Sequence, residues 1–317
     1  MRVFLTGVAG FIGSHLSESM LDAGYEVIGV DSFTQYYSRE QKMSNLSGSL
    51  NKKNFEFIEG DILDLSLESL LDRSDAILHL AAQPGVRPSW SEFDIYVKNN
   101  VLVTKRLLDA VANDKRRKKK FVFASSSSVY GDAESFPTVE TVTPKPVSPY
   151  GITKDTCEKL CHVYHKTYSI PVAMLRFFTV YGPRQRPDMA FHKFIESMLS
   201  GKEITIYGDG KQVRDFTYVS DIVQGIISAL ETDLQEEAFN LGSGRPVLLI
   251  DVIKMLQGLA GSSSGIIFCD QQKGDASKTF ADISKAEYLI GYNPKTKLEE
   301  GLTKQVEWHR QRTQRRG

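Results

Sequence analysis

Cysteine is scarce, three residues in a chain of 317, and an odd number cannot pair completely within one molecule. Cys157 and Cys161 stand four apart on a predicted helix and read as small buried hydrophobes, so neither a disulfide framework nor a metal centre is expected. Net charge is absent as well. The 39 Lys+Arg balance 39 Asp+Glu, which removes the electrostatic case for a nucleic-acid partner or a membrane surface. No apolar run reaches the roughly 18 residues of a membrane span. Met1 leads into an apolar strand with only Arg2 as charge, so a cytoplasmic chain is expected. Internal repeats and low-complexity tracts are missing too. What is left is an ordinary globular composition, 41% hydrophobic and 10% aromatic, with enough length to bury a large core unaided.

Short β-branched runs alternate with longer amphipathic stretches through the first half, at 3–5, 26–30, 55–58, 76–80, 121–124 and 172–175. That rhythm predicts an α/β fold, a Rossmann-type doubly wound parallel sheet with helices on both faces. Beyond Pro183 the rhythm loosens into Gly- and Pro-punctuated pieces with predicted helices near 191–199, 221–230, 250–259 and 298–310, forming a smaller C-terminal α/β region. The basic block 115–120 reads as a solvated connection between a helix and a strand, and 310–317 as a frayed basic tail.

Gly7-Val8-Ala9-Gly10-Phe11-Ile12-Gly13 follows the first strand directly and opens a helix. In this spacing the first glycine permits a tight turn, the second lets backbone amides approach a pyrophosphate, and the third lets helix and strand pack closely. The pyrophosphate would sit on the helix N-terminus, where unpaired N–H groups favour an anion. The second strand ends at Asp31, at the distance expected for a carboxylate that binds a ribose diol and repels a 2′-phosphate, which favours NAD over NADP. Asp61 and Ile62 after the third strand are placed at the adenine, and Leu80, Ala81 and Ala82 after the fourth let small side chains pass the cofactor.

Tyr150 and Lys154 lie one helical turn apart on one face. A free phenol ionises near pH 10, so a tyrosine base at neutral pH needs positive charge beside it. Lys154 with an oxidised nicotinamide supplies that charge. Ser125 to Ser128 end a parallel strand at its C-terminal end, where open α/β sheets place their ligands, and read as hydroxyl donors to a substrate.

Together these motifs resemble the extended short-chain dehydrogenase/reductases that modify nucleotide sugars. Further stretches carry the resemblance: Val129-Tyr130-Gly131, the segment 176–183, Gly208-Asp209-Gly210, Arg214-Asp215-Phe216 and the segment 281–286. The resemblance implies an NAD-binding Rossmann domain over 1–180, with segments near 215–242 returning to it, and a nucleotide-sugar region over 181–317. It implies Asn99 at the cofactor, Thr205 and Tyr207 over a uracil, Arg214 and Asp275 at the nucleotide sugar, and a homodimer built through the Tyr150 helix and the helix over 94–112. The chain departs from the family where Gln272-Lys273-Gly274-Asp275 replaces a frequent Arg-Pro-Gly-Asp, leaving Lys273 beside the position of a missing phosphate arginine.

Family dehydratases and decarboxylases carry carboxylates where this chain has Ser126, Ser127 and Ser128, so elimination lacks its proton carriers and C4 epimerisation of a UDP-sugar is left. In that reading Tyr150, Lys154 and Ser126 are catalytic. The segment 182–190 resembles that of UDP-glucuronate 4-epimerases, which implies Arg186 on a sugar carboxylate, with Ser127, Ser128 and Thr179 completing the cradle. Gly85 and Val86 are expected to shape the pocket floor, with Arg87 beside them as a further substrate-binding residue. A neutral UDP-glucose or UDP-N-acetylglucosamine epimerase, and a UDP-glucuronate decarboxylase, remain open as alternatives.

Overall fold

The computed structural model describes residues 1–114, 118–270, 274 and 278–314. Twelve strands are present among them: β1 (Arg2–Thr6), β2 (Glu26–Asp31), β3 (Phe55–Glu59), β4 (Ala76–His79), β5 (Lys120–Ser126), β6 (Val172–Phe177), β7 (Thr179–Tyr181), β8 (Ile204–Tyr207), β9 (Val213–Tyr218), β10 (Glu236–Leu241), β11 (Pro246–Leu248) and β12 (Ile266–Cys269). The helices are α1 (Phe11–Asp22), α2 (Arg39–Leu50), α3 (Leu67–Asp72), α4 (Phe93–Tyr96), α5 (Val103–Asn113), α6 (Pro149–Tyr168), α7 (Ala190–Leu199), α8 (Val219–Glu231), α9 (Leu249–Ala260), α10 (Ser284–Ile290) and α11 (Leu298–Gln314).

Seven strands form one sheet in the order β10-β6-β5-β4-β1-β2-β3, with every neighbouring pair parallel. The chain winds outward in both directions from β1, which is the doubly wound topology, and the order reverses between β1 and β4. Ligands of such sheets bind in the crevice above that reversal. Strand alternation sends Val3 and Leu5 into one core with α1, α8 and α11, and sends Phe4 into the other with α3, α5 and α6. The smaller region has a three-stranded sheet, β11-β9-β7, and the parallel pair β12-β8.

Two expectations are corrected. The basic tail is not frayed from residue 310, because α11 continues to Gln314 on a buried face of Leu302, Gln305, Val306 and His309. The lysines that end the basic block are not solvated: Lys119 is buried against Asp114, and Lys120 donates to the Thr232 carbonyl. Burial pushes the Lys120 ammonium down to about 8.

Candidate active site

A cleft of about 1200 Å³, open to solvent, lies at the C-terminal ends of β1, β4 and β5. Its floor is the glycine turn. Gly7 turns at φ 72°, and a Cβ there would stand 2.8 Å from the Ala81 nitrogen, so the loops after β1 and β4 touch and only glycine fits. A Cβ on Gly13 would lie 2.1 Å from the Gly7 carbonyl oxygen. Gly10 caps α1 without any side-chain bond, and the first turn of α1 carries no acid, so its leading amides remain available to an anion. Asp31 ends β2 and accepts from the backbone N–H of Ala9 at 3.0 Å and of Phe33 at 2.9 Å. Burial raises its carboxyl, and those two bonds together with nearby Lys42 oppose the shift.

Every residue expected at the cofactor lines this one cleft: Gly7, Gly10, Phe11, Ile12, Gly13, Asp31, Asp61, Ile62, Leu80, Ala81, Ala82, Asn99, Tyr150 and Lys154. A dinucleotide fits the arrangement, with glycines where backbone must approach, open amides for a pyrophosphate and a buried carboxylate for a diol.

Tyr150 stands in the first turn of α6. Ser148 caps the helix by accepting from the Gly151 N–H at 3.1 Å, Pro149 supplies the fixed first position, and the Tyr150 N–H donates to Ser89 Oγ at 3.1 Å. The Tyr96 ring meets the Tyr150 ring edge-on at 6.2 Å. Lys154 is buried, donates to the Ala124 carbonyl at 2.8 Å and lies 4.9 Å from the Phe123 ring centre.

Beside this pair runs a buried relay. Ala81 N–H donates to Thr6 Oγ1 at 3.1 Å, Thr6 Oγ1 meets His79 Nδ1 at 2.8 Å, His79 Nε2 meets Thr104 Oγ1 at 3.0 Å, and Thr104 donates to the Asn100 carbonyl at 2.6 Å. Thr104 gives its only hydrogen to a carbonyl, so it must accept from His79, and the histidine is neutral with its hydrogen on Nε2. Burial, with Lys154 adding to it, pushes His79 down to about 3. The acceptor carbonyl lies in a π-helical turn, Val97–Leu102, which brings Asn99 to the cleft while Asn100 is buried. Asn100 bonds both backbone groups of Gln83 and donates to Thr153 on α6 at 3.0 Å.

The serines divide. Ser125 lines the cleft but donates to Glu158, which pairs with Arg176 in the buried interior. Ser126 accepts from the Ser128 N–H and donates to Ser128 Oγ, both at 3.1 Å, at the start of a tight turn over Ser127–Val129. Among the described residues, Arg186 is the one expected substrate residue in the cleft wall. Its guanidinium grips Asp188 through two bonds of 2.9 and 3.0 Å, and Tyr36 donates to the same carboxylate at 3.1 Å. Burial would raise Asp188, but Arg186 outweighs it and holds the carboxyl low.

The remaining substrate residues lie beyond that wall. Gly85, at φ 96°, leaves room for the Tyr36 hydroxyl, which a Cβ would meet at 2.4 Å. The Val86 carbonyl accepts from Ser89, and the Arg87 guanidinium stacks on Tyr207 of β8 at 4.2 Å. Thr205 is exposed on β8, Arg214 lies on β9 and Thr179 on β7. Asp275, with Gln272 and Lys273, falls outside the described residues. Sequence reasoning missed Tyr36, Tyr37, Lys42 and Ala124, which also line the cleft, and Asp188. Only Asp188 had a signal, its place two residues after Arg186.

The family model described as NAD dependent epimerase/dehydratase family matches residues 3–242. A Bacillus subtilis protein named as an uncharacterized UDP-glucose epimerase is 46% identical over 309 residues, covering 96% of this chain and 97% of that protein. The UDP-glucuronate 4-epimerase of Thermodesulfobacterium geofontis is 38% identical over 312 residues, 97% of this chain and 95% of that one. The crystal structure of a Bacillus cereus UDP-glucuronic acid 4-epimerase, in complex with UDP-glucuronic acid and NAD, superposes with a TM-score of 0.95 at 44% identity, over 98% of this chain and 99% of that one.

Proposed function

The chain belongs to the NAD dependent epimerase/dehydratase family, and on that premise we propose that it inverts C4 of UDP-glucuronate to give UDP-galacturonate through a transient 4-keto sugar. The observation that carries the choice of sugar is Arg186, a fixed fork for a carboxylate in the same cleft wall as Tyr150. The solved Bacillus cereus relative was crystallised with that sugar nucleotide and NAD.

NAD, when bound, supplies the acceptor and the return of one hydride. Tyr150 takes the C4 hydroxyl proton, with Ser126 hydrogen-bonded to the same oxygen and Lys154 placing its positive charge one helical turn away. With no carboxylate at positions 126 to 128, nothing there drives elimination. The keto sugar is a β-keto acid, which loses CO2 when its C5–C6 bond aligns with the carbonyl π system. Arg186, Ser127, Ser128 and Thr179 hold the carboxylate out of that alignment. Thr205 and Tyr207 cover the uracil, Arg214 and Asp275 hold the rest of the nucleotide, Gly85 and Val86 shape the floor, and Arg87 is a further substrate contact.

A second reading, a neutral UDP-hexose epimerase, draws on the full pairing of Arg186 with Asp188 and on the name of the Bacillus subtilis relative. A panel of UDP-glucuronate, UDP-glucose and UDP-N-acetylglucosamine separates the two. Arg186→Ala should cut UDP-glucuronate turnover by about 10–100-fold, the worth of a charged hydrogen-bonded contact, and should release measurable CO2. Intact turnover of UDP-glucuronate in that variant favours the neutral hexose.

The enzyme acts as a homodimer through α4 to α6, whose outer surface exposes Ile95, Leu102, Ile152 and Val163. Cys269 is an exposed free thiol and Cys157 and Cys161 are free and buried, which suits a reducing cytoplasm.

A further inference from the structure

Away from the cleft, α7 and α11 bring His192, Glu196 and His309 together, with one donor atom from each lying within 4.8 Å of the others. His192 and Glu196 share a face of α7 at i and i+4, whereas His309 comes from more than a hundred positions further on, a separation that hides the group from any local motif. Both imidazoles are buried, and neither Nε2 has a hydrogen-bond partner among the described residues.

The His192 tautomer is fixed. Its Nδ1 lies 2.7 Å from the Gln185 carbonyl oxygen, an atom that only accepts, so Nδ1 carries the hydrogen. In the neutral ring Nε2 therefore presents a lone pair to Glu196 Oε1 at 3.1 Å. Two acceptors that close need a cation between them.

We propose that His192, Glu196 and His309 bind a divalent ion of the zinc type and so staple α7 to α11. Two imidazole nitrogens and a carboxylate are a zinc donor set that leaves a fourth position for water. A carbonyl accepting from the far nitrogen is the usual support for a ligating histidine. Glu196 is half-exposed, so the ion enters past it, and the 3.1 Å between Glu196 Oε1 and His192 Nε2 is close to the separation of two ligands that each stand roughly 2.0–2.2 Å from one ion. Arg312, 3.9 Å from Glu196, is the competing cation. It also stacks on Trp308 at 5.4 Å, which gives it a place when the carboxylate turns to the ion. None of the three ligands lines the cleft, so the ion's role is structural. It acts on the segment that carries Arg186, because Gln185 holds His192 by its carbonyl and also, at 3.1 Å, accepts the His192 N–H on its side chain.

The test is calorimetric titration of chelator-treated enzyme with Zn²⁺, paired with Co²⁺ as a coloured substitute. The expected result is one ion per chain, visible ligand-field bands with Co²⁺ and a raised unfolding midpoint. Glu196→Gln, a change at a half-exposed position, should weaken Zn²⁺ binding by at least about tenfold, and His309→Gln should do the same. If His309→Gln fails to fold, nitrogen NMR of the unaltered enzyme decides, since Zn²⁺ must shift Nε2 of both His192 and His309. Unshifted resonances, no saturable binding at micromolar Zn²⁺, or unchanged affinity in Glu196→Gln would overturn the proposal.

Discussion

Tyr150 is aimed by groups that take no part in the chemistry assigned to it. Ser148 caps its helix, Ser89 holds its backbone N–H, and Tyr96 presses on its ring. A placed proton acceptor contributes about 10²–10⁴-fold in rate. Tyr150→Phe, which keeps all three supports, should therefore lose turnover in that range while titrating with UDP-sugar as before, and unchanged turnover would remove the phenol from its role. At the other end of the cleft, Asp31 and Lys42 are close enough to influence each other's ionisation. Asp31→Ala should weaken NAD binding and raise NADP use, because the repelling carboxylate is gone while the ammonium stays. Initial rates with both dinucleotides check this, and a variant that still rejects NADP counts against Asp31. The glycines, Asp31, Tyr150 and Lys154 were legible in the sequence because their chemistry is local, resting on a turn, a strand end or one helical turn. Lys42, Tyr36 and Asn100 were not, because each reaches its place through packing between distant segments.

Between the elements, the Thr6–His79–Thr104 relay ties β1 and β4 to the π-helical turn, so one buried hydrogen-bond chain fixes both the glycine turn and Asn99. Thr104→Val keeps the shape but strands the His79 Nε2–H, at a cost of about 1–3 kcal/mol, readable as a lowered unfolding midpoint. The same histidine sets an acid limit. Its folded value of about 3 lies below the 6.5 of a free imidazole. Below pH 6.5 the unfolded chain takes up a proton that the folded one refuses, so stability is lost as pH falls from that point toward 3. At pH 5 the loss from His79 is about 2 kcal/mol. Urea midpoints at pH 7.5 and pH 5 measure it, and a flat profile would mean that the ring is protonated in the fold. Strands and helices were readable from period and punctuation, down to β1 through β6. The π-helical turn was not, since its extra backbone residue leaves no mark in the side-chain pattern.

For the whole molecule, the sheet is completed late. β10 pairs with β6 along its full length, yet residues 178–235 and the strands β7, β8 and β9 lie between them in the chain. The alternating rhythm of the first half shows a nucleotide-binding sheet but not its last strand, because Glu236–Leu241 carries two acids at its start and looks like surface. This order of assembly has a consequence for synthesis. Until residue 241 has left the ribosome, β6 presents a bare row of amides and carbonyls, and until residue 231 has left it the apolar face that α8 covers is bare as well. A chain cut at residue 180 should therefore not yield a stable nucleotide-binding half. It should aggregate or be captured by chaperones, whereas a chain ending near residue 242 should stay measurably more soluble when the two are expressed side by side. Equal solubility of the two would show that the edge is guarded in some other way. The chain is thus committed to making β7, β8, β9 and α8 before its seven-stranded sheet can close, and a nascent chain would gain its affinity for NAD only in the last quarter of translation.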